Sequence, residues 1–374
     1  MTAGARAAPG RIEAPISSVT AAACTVPTDA PEGDGTLTWS STTLVLVEVR
    51  AGDAVGIGWT YAPAAAVSIV EELLAPTLVD TDALAPAAAQ GSMLRSVRNA
   101  GRPGLVMMAL SAVDIALWDL AARLQDLPLP RLWGGPIGEV EVYGSGGFTT
   151  YDDKQLRDRL NSWLQLGMPR VKIKIGESWG RNEPRDLKRT ALARQVVGDR
   201  VELFVDANGG YQVGQASRVG RALDGLGVTW YEEPVSSDDL AGLRRVRESV
   251  LADVTAGEYG HDVTYFARMA DGAVDCLQVD ATRCGGYTGW QQAAALAVGL
   301  QLDVSGHCAP YLSAPVAAAT PNLRHVEWFH DHVRVEQLLF DPTPDPHDGR
   351  LPLPEAPGHG LSLRRDAFDK YRVA

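Results

Sequence analysis

Apolar residues along this chain follow two patterns, and their arrangement changes once, near residue 135. From Ile16 to Val49 the runs read as strands around a polar loop. Segment 26–38, rich in Pro, Gly and Asp, holds too many turn formers to be a strand. Residues 43–48 and 54–60 alternate as two antiparallel strands joined by Ala51-Gly52-Asp53. Between Leu105 and Leu124 the spacing becomes helical, with Met108, Ile115, Leu117, Leu120 and Leu124 on one face. This first third is an α+β unit ending near Gly134-Gly135.

After Val140 short apolar runs alternate with amphipathic stretches. Strands are expected at 140–143, 171–175, 201–205, 228–231, 254–256, 276–279, 302–304 and 325–326. Helices are expected at 154–166, 186–197, 215–226, 241–250 and 288–299. Alternation of this kind implies a parallel sheet, and about eight units imply that it closes into a barrel. An open doubly wound sheet is the alternative, but no glycine fingerprint for a dinucleotide follows the first strand. The fold class is therefore α/β, a TIM-type barrel behind an α+β unit. The tail beyond Pro342 is rich in Pro and Gly up to Gly360 and is expected to pack back on a neighbouring domain.

Composition narrows the function classes. With 45% apolar and 21% charged residues the chain is globular rather than disordered. A net charge of −12 argues against nucleic acid as a partner. No apolar run is expected to cross a membrane, and residues 1–14 lack the apolar stretch of a secretion signal, so the cytoplasm is the default location. Cys24, Cys276, Cys284 and Cys308 form no CxxC pair and read as inert packing.

In such barrels the reactive groups stand at the C-terminal ends of strands. The second strand ends in Lys172-Ile173-Lys174, whose alternation points both ammonium groups to one side. The next strands end at Asp206, Glu232, Glu258, Asp280, His307 and Glu327. Asp206, Glu232 and Glu258 follow one another at equal intervals of 26 residues, one strand–helix unit each, so they converge. Three carboxylates with room for water and substrate suit Mg²⁺. Single acids at strand ends are ordinarily just solvated; three in register, facing two lysines and a histidine, are not.

Lys172 is placed to hold a substrate carboxylate, and its charge should lower the proton affinity of Lys174, as a catalytic base requires. A lone strand-end histidine reads as structural, but Asp280 on the neighbouring strand makes His307 a base with its orienting acid. This set suits abstraction of a proton α to a carboxylate, the negative charge being stabilised by the cation and Lys172.

With these residues in view the chain closely resembles the enolase superfamily, and within it the mandelate racemase subgroup, over nearly its whole length. The resemblance rests on the helix ALSAVDIALWDLAAR at 109–123, the Lys172/Lys174 pair, the acids Asp206, Glu232 and Glu258, the dyad Asp280/His307, and Glu327. It implies a modified (β/α)7β barrel at 136–345 behind a tail at 1–13, and an α+β capping domain at 14–135 completed by 346–374. It further implies cap loops, here 26–38 and the stretch before Arg98, that close over the pocket. Glu327 would hydrogen-bond the substrate carboxylate and sit protonated there, with Asn208 and Lys172 as further substrate contacts. The subgroup commonly assembles as symmetric homo-oligomers. The runs Asp206-Ala207-Asn208-Gly209 and Asp280-Ala281-Thr282-Arg283-Cys284-Gly285-Gly286 resemble the sugar-acid dehydratases. The polar stretch Trp328-Phe329-His330-Asp331-His332 suggests a hydroxylated ligand, although its histidines also fit a solvated loop. A small sugar acid, Mg²⁺ and loss of water are the expectation, with Lys174 or His307 as base. A racemase, epimerase or cycloisomerase using the same residues is the alternative, and a non-catalytic sugar-acid-binding barrel is a third.

Overall fold

The computed structural model describes residues 13–374, so all but the last residue of the expected tail lies outside it. Three antiparallel strands, β1 (Ser18–Gly33), β2 (Thr38–Ala51) and β3 (Ala54–Tyr61), form one sheet in that order. The tight turn between β2 and β3 is where the sequence placed it, at Gly52-Asp53, with Gly52 at φ +57°. Segment 26–33 departs from expectation, because β1 runs straight through it to Gly33. β1 is the edge strand of its sheet, and its pairing with β2 breaks register between Pro27 and Glu32. An edge position and a bulge are where a strand tolerates proline.

Helix Leu105–Leu124 forms over the expected residues and fills the groove between this sheet and the barrel. It is apolar nearly all round, since Met107, Leu110 and Val113 are buried too while Leu124 is 36% exposed. Its length and hydropathy would let it cross a membrane, contrary to the sequence reading, but 83% of its apolar 18-residue stretch is buried within the protein. A buried core helix meets the same criteria.

The barrel consists of β4 (Glu139–Gly146), β5 (Arg170–Lys174), β6 (Glu202–Asp206), β7 (Val228–Glu232), β8 (Asp253–Ala256), β9 (Cys276–Val279), β10 (Asp303–Gly306) and β11 (Leu323–Phe329). Neighbours pair in parallel in sequence order, and β11 pairs with β4 to close the ring. All eight expected strands are present, as are the five expected helices. Three more helices of the barrel, Val263–Ala270, Pro310–Ala318 and His330–Leu339, escaped the pattern, as did the single turn Glu177–Gly180. Pro310 opens the second and Pro315 lies inside it, so its sequence reads as a breaker. The third replaces the polar loop expected after Glu327, and its His332 is buried, stacked on Tyr61 of β3 at 3.4 Å between ring centroids.

The C-terminal segment completes the cap. Ala23 of β1 donates its N–H to the carbonyl of Ala374, and Val373 donates back to Ala23. Asp119 on the long helix accepts from the N–H groups of Ile57 and His359, both at 2.9 Å.

Asp114, one turn earlier on the same helix, fastens the cap to the barrel. It accepts the Thr288 N–H at 2.9 Å and the Thr288 hydroxyl at 2.7 Å, both from helix Gly286–Gly299. Burial outweighs these hydrogen bonds and pushes its carboxyl up to about 7. A raised acid binds its proton more tightly when folded, so its contribution to stability is full below about pH 4 and is lost as pH rises to about 7. Asp114→Asn should remove that component. Melting curves of variant and parent from pH 4 to 8 should diverge in the variant's favour as pH rises, and parallel curves would refute this account.

Candidate active site

Strand pairing sets the level of the reactive groups. Lys174 pairs with Asp206, and Asp206 with Glu232, so the equal sequence intervals become equal heights on adjacent strands. Glu258 follows β8 by one glycine, Gly257 at φ +135°. An added Cβ there would lie 2.3 Å from the Gln278 carbonyl oxygen. One oxygen from each of Asp206, Glu232 and Glu258 can be chosen so that all three lie within 4.8 Å of one another, and all three residues are buried. Oε2 of Glu258 accepts no hydrogen bond. Glu232 is the best held, with Oε2 accepting from Trp230 Nε1 at 2.9 Å and Gln278 Nε2 at 2.8 Å.

Both lysines point inward as the alternation required. Lys172 Nζ lies 2.7 Å from each oxygen of Glu232 and 2.8 Å from Glu327 Oε1, while Lys174 pairs with Asp206. The expected depression of Lys174 is not found. Burial does oppose its charge, and Lys172 acts in the anticipated direction, but the carboxylates led by Asp206 hold its proton affinity above the ordinary lysine value.

His307 and Asp280 meet as the sequence reading proposed, with Nδ1 2.8 Å from Asp280 Oδ2. The far carboxylate oxygen of Asp280 accepts from the Thr282 N–H and hydroxyl, both at 2.7 Å. The Nε2 of His307 lies 3.2 Å from Glu258 and 3.6 Å from Glu327. Burial disfavours the imidazolium, yet the Cys308 sulfur and the surrounding carboxylates keep its pKa well above the usual value. Glu327 accepts from Ser145 Oγ at 2.5 Å and from the Cys308 N–H at 3.0 Å. The protonated state expected for Glu327 belongs to the substrate-bound site, and without a bound carboxylate the balance around it is different. Burial favours the acid form, but Lys172, His307 and Lys174 hold the carboxyl well below the usual range.

Asn208 stands at the rim, with φ +45° and its backbone N–H on Asp206 Oδ1; its own Oδ1 is buried and unpartnered. Sequence reasoning missed several participants. Arg283 spans the acids, 3.2 Å from Glu258 and 3.4 Å from Asp280. Glu233 is buried beside Glu232 and pushed well above the usual carboxylate range by burial, then by Glu258 and Asp206. Three cysteines pack in the core, but Cys308 faces the site, 3.3 Å from His307 Nε2. Inward alternation on β4 would have marked Tyr143 and Ser145; nothing local marks Arg283.

The turn between β1 and β2 covers the mouth. Gly35 accepts the Trp179 N–H at 2.9 Å, and Thr149 donates to Gly33 at 2.8 Å. A Cβ on Gly35 would lie 2.6 Å from the Ile175 carbonyl and 2.8 Å from that of Ala207, the residues that directly follow β5 and β6. Gly35→Ala should therefore lift the turn, at a cost of about 1–3 kcal/mol. The expected result is weaker substrate binding with an intact catalytic step, read as a raised KM at little-changed kcat. An unchanged KM would show that the turn takes no part. The helix Pro86–Ser96, in the stretch before Arg98, also reaches the barrel, its Gln90 donating to the Gly285 carbonyl at 2.7 Å.

Comparison with known proteins agrees with this geometry. Residues 18–134 match the mandelate racemase / muconate lactonizing enzyme N-terminal domain, and residues 155–367 match the enolase C-terminal domain-like family. Arabinonate dehydratase of Saccharolobus solfataricus is 29% identical over 346 residues, covering 88% of this chain and 90% of that protein. The 3,6-anhydro-alpha-L-galactonate cycloisomerase of Streptomyces coelicolor is 31% identical over 338 residues, covering 88% and 91%. Among solved structures, a mandelate racemase/muconate lactonizing enzyme-like protein from Rubrobacter xylanophilus superimposes with TM-score 0.92 at 46% identity, over 96% of this chain and all of that one. A Streptomyces coelicolor racemase with bound magnesium gives TM-score 0.90 at 29% identity, over 96% and 100%.

Proposed function

This chain belongs to the mandelate racemase / muconate lactonizing enzyme family of the enolase superfamily, and from that premise we propose that it dehydrates a sugar acid with the help of Mg²⁺. The donor set fits that ion, being three carboxylates with one buried oxygen free of hydrogen bonds and no sulfur among them. Asp206, Glu232 and Glu258 would hold it. When bound, it supplies the positive charge that stabilises negative charge growing on the substrate carboxylate.

The chain's own groups do the rest. Lys172 contributes a second positive charge beside that carboxylate. Lys174 takes the α-proton, its hold on its own proton being relaxed once the charge of Asp206 is neutralised. His307 gives a proton to the β-hydroxyl, which leaves as water, and Asp280 keeps the ring oriented for that transfer. One water is lost in total, and the enol product ketonises to a 2-keto-3-deoxy acid.

One observation favours elimination over isomerisation. His307 is in contact with three carboxylates, Asp280, Glu258 and Glu327. With Glu258 given to the ion, Asp280 and Glu327 still face the imidazole and favour its proton, as expulsion of hydroxide requires, whereas proton return to the opposite face needs it bare. Similarity to a cycloisomerase supports the second reading, an isomerase using the same residues. Incubating the protein with a panel of mono- and diacid sugars and Mg²⁺ tests the choice. Release of a 2-keto acid is expected; solvent deuterium entering recovered acid, without loss of water, would select the isomerase. Mg²⁺ at a hundredfold excess over its Kd should also stabilise the fold by about 2.7 kcal/mol. A melting curve indifferent to Mg²⁺ would contradict the proposed ion site.

A further inference from the structure

Next to the oxygen trio lies a second cluster with different chemistry. Cys308 Sγ is 3.3 Å from His307 Nε2 and 3.4 Å from Glu327 Oε2, and those two atoms are 3.6 Å apart. We propose that His307, Cys308 and Glu327 form a separate site for thiophilic divalent cations such as Zn²⁺ or Cd²⁺, whose occupation shuts the enzyme off.

The dimensions carry the proposal. Zinc bonds of about 2.3 Å to sulfur and about 2.0–2.2 Å to nitrogen and oxygen give a tetrahedron with edges of roughly 3.4–3.6 Å. The three observed separations match those edges to within about 0.3 Å, so one face of the tetrahedron already exists. The three residues lie buried and their ligand atoms converge. A sulfur, a nitrogen and one carboxylate oxygen also select a softer ion than the all-oxygen trio does.

The backbone fixes this arrangement. Cys308 and Ala309 are consecutive non-glycine residues at φ +50° and +40°. Left-handed conformations of this kind persist only when the surroundings enforce them. Here the Cys308 N–H is held by Glu327 Oε2 and the Ala309 N–H by His332 Nδ1 at 3.2 Å. The two oxygens of Glu327 divide their duties: Oε1 faces Lys172 and Ser145, and Oε2 faces the cysteine and histidine. The same contacts can be satisfied by hydrogen bonds alone, with Nε2–H donating to sulfur and S–H to Glu327. On binding, the metal replaces those protons, which pass to solvent.

Shut-off rests on the proposed role of His307 as the acid, whereas metal binding does not. Cd²⁺ titrated into the full chain in excess Mg²⁺ tests both. One ion per chain should bind, with the ultraviolet charge-transfer band of a cadmium thiolate. Cys308→Ser should abolish the band, weaken binding at least tenfold, and desensitise turnover to Zn²⁺ to the same degree. Cys308→Ala serves as the second variant should the first melt early. No band in the parent protein, or a full band in folded Cys308→Ser, overturns the site. Normal binding with undiminished turnover would leave the site standing and overturn the role given to His307.

Discussion

His307→Asn should lower turnover by about 10²–10⁴-fold while leaving Mg²⁺ affinity close to that of the parent. Asparagine keeps a hydrogen-bonding group near Asp280 but offers no proton of suitable acidity for the departing hydroxyl. His307 follows β10 directly, and Asp280 follows β9, so the change stays at the mouth of a rigid ring. Lys174→Ala should produce a loss of the same order for a different reason, since the α-proton then has no acceptor. That variant also frees Asp206 from its ammonium partner, so Mg²⁺ should bind at least as well as before. Turnover and calorimetric Mg²⁺ binding, measured together, separate these outcomes. Full turnover in both variants would end the proposed division of labour.

Glu258→Gln should weaken Mg²⁺ binding by more than about 100-fold, beyond the 10–100-fold typical of losing a residue that only supports a ligand. The choice of residue matters because the three acids are not equivalent. Asp206 and Glu232 each neutralise a buried lysine; Lys172 would keep Glu327 if Glu232 lost its charge, whereas loss of the Asp206 charge strands the Lys174 ammonium in the interior. Breaking such a pair ordinarily costs about 3–5 kcal/mol. Asp206→Asn is therefore expected to melt early as well as to lose the ion. Glu258 faces Arg283 and His307, and both of these keep Asp280 as a partner. Glu258→Gln should thus lose ion affinity with little loss of ion-free stability. Parental Mg²⁺ affinity in Glu258→Gln would remove that acid from the cation site.

The barrel and its reactive ring were legible because the sequence records them as periodicity. Equal intervals between Asp206, Glu232 and Glu258 can only place them on equivalent strands, and the pairing of Lys174, Asp206 and Glu232 is the same fact in space. What the sequence hid depends on long-range environment. Segment 26–33 carries turn residues yet is extended, because an edge strand with a bulge has room for its prolines. His332 read either as a ligand contact or as part of a solvated loop, and neither reading foresaw its stacking on Tyr61 of the cap. The cations that face Glu327, Lys172 and His307, are remote from it in sequence. Lys174 likewise answers to the balance between one neighbouring ammonium and several acids, and alternation along a strand says nothing of that balance.

Asp119 joins β3 to His359, which lies 240 residues beyond Asp119 itself, and β1 pairs with the last residues of the chain. Contacts of such sequence separation form late, since the intervening loop must close first. During synthesis the apolar helix Leu105–Leu124 therefore emerges after the sheet that covers one side of it but long before helix Gly286–Gly299, which covers another. A ribosome-bound intermediate with that second face exposed is a natural client for chaperones. Truncation before His359 would leave the buried Asp119 without two of its partners, and should yield aggregates rather than a smaller enzyme.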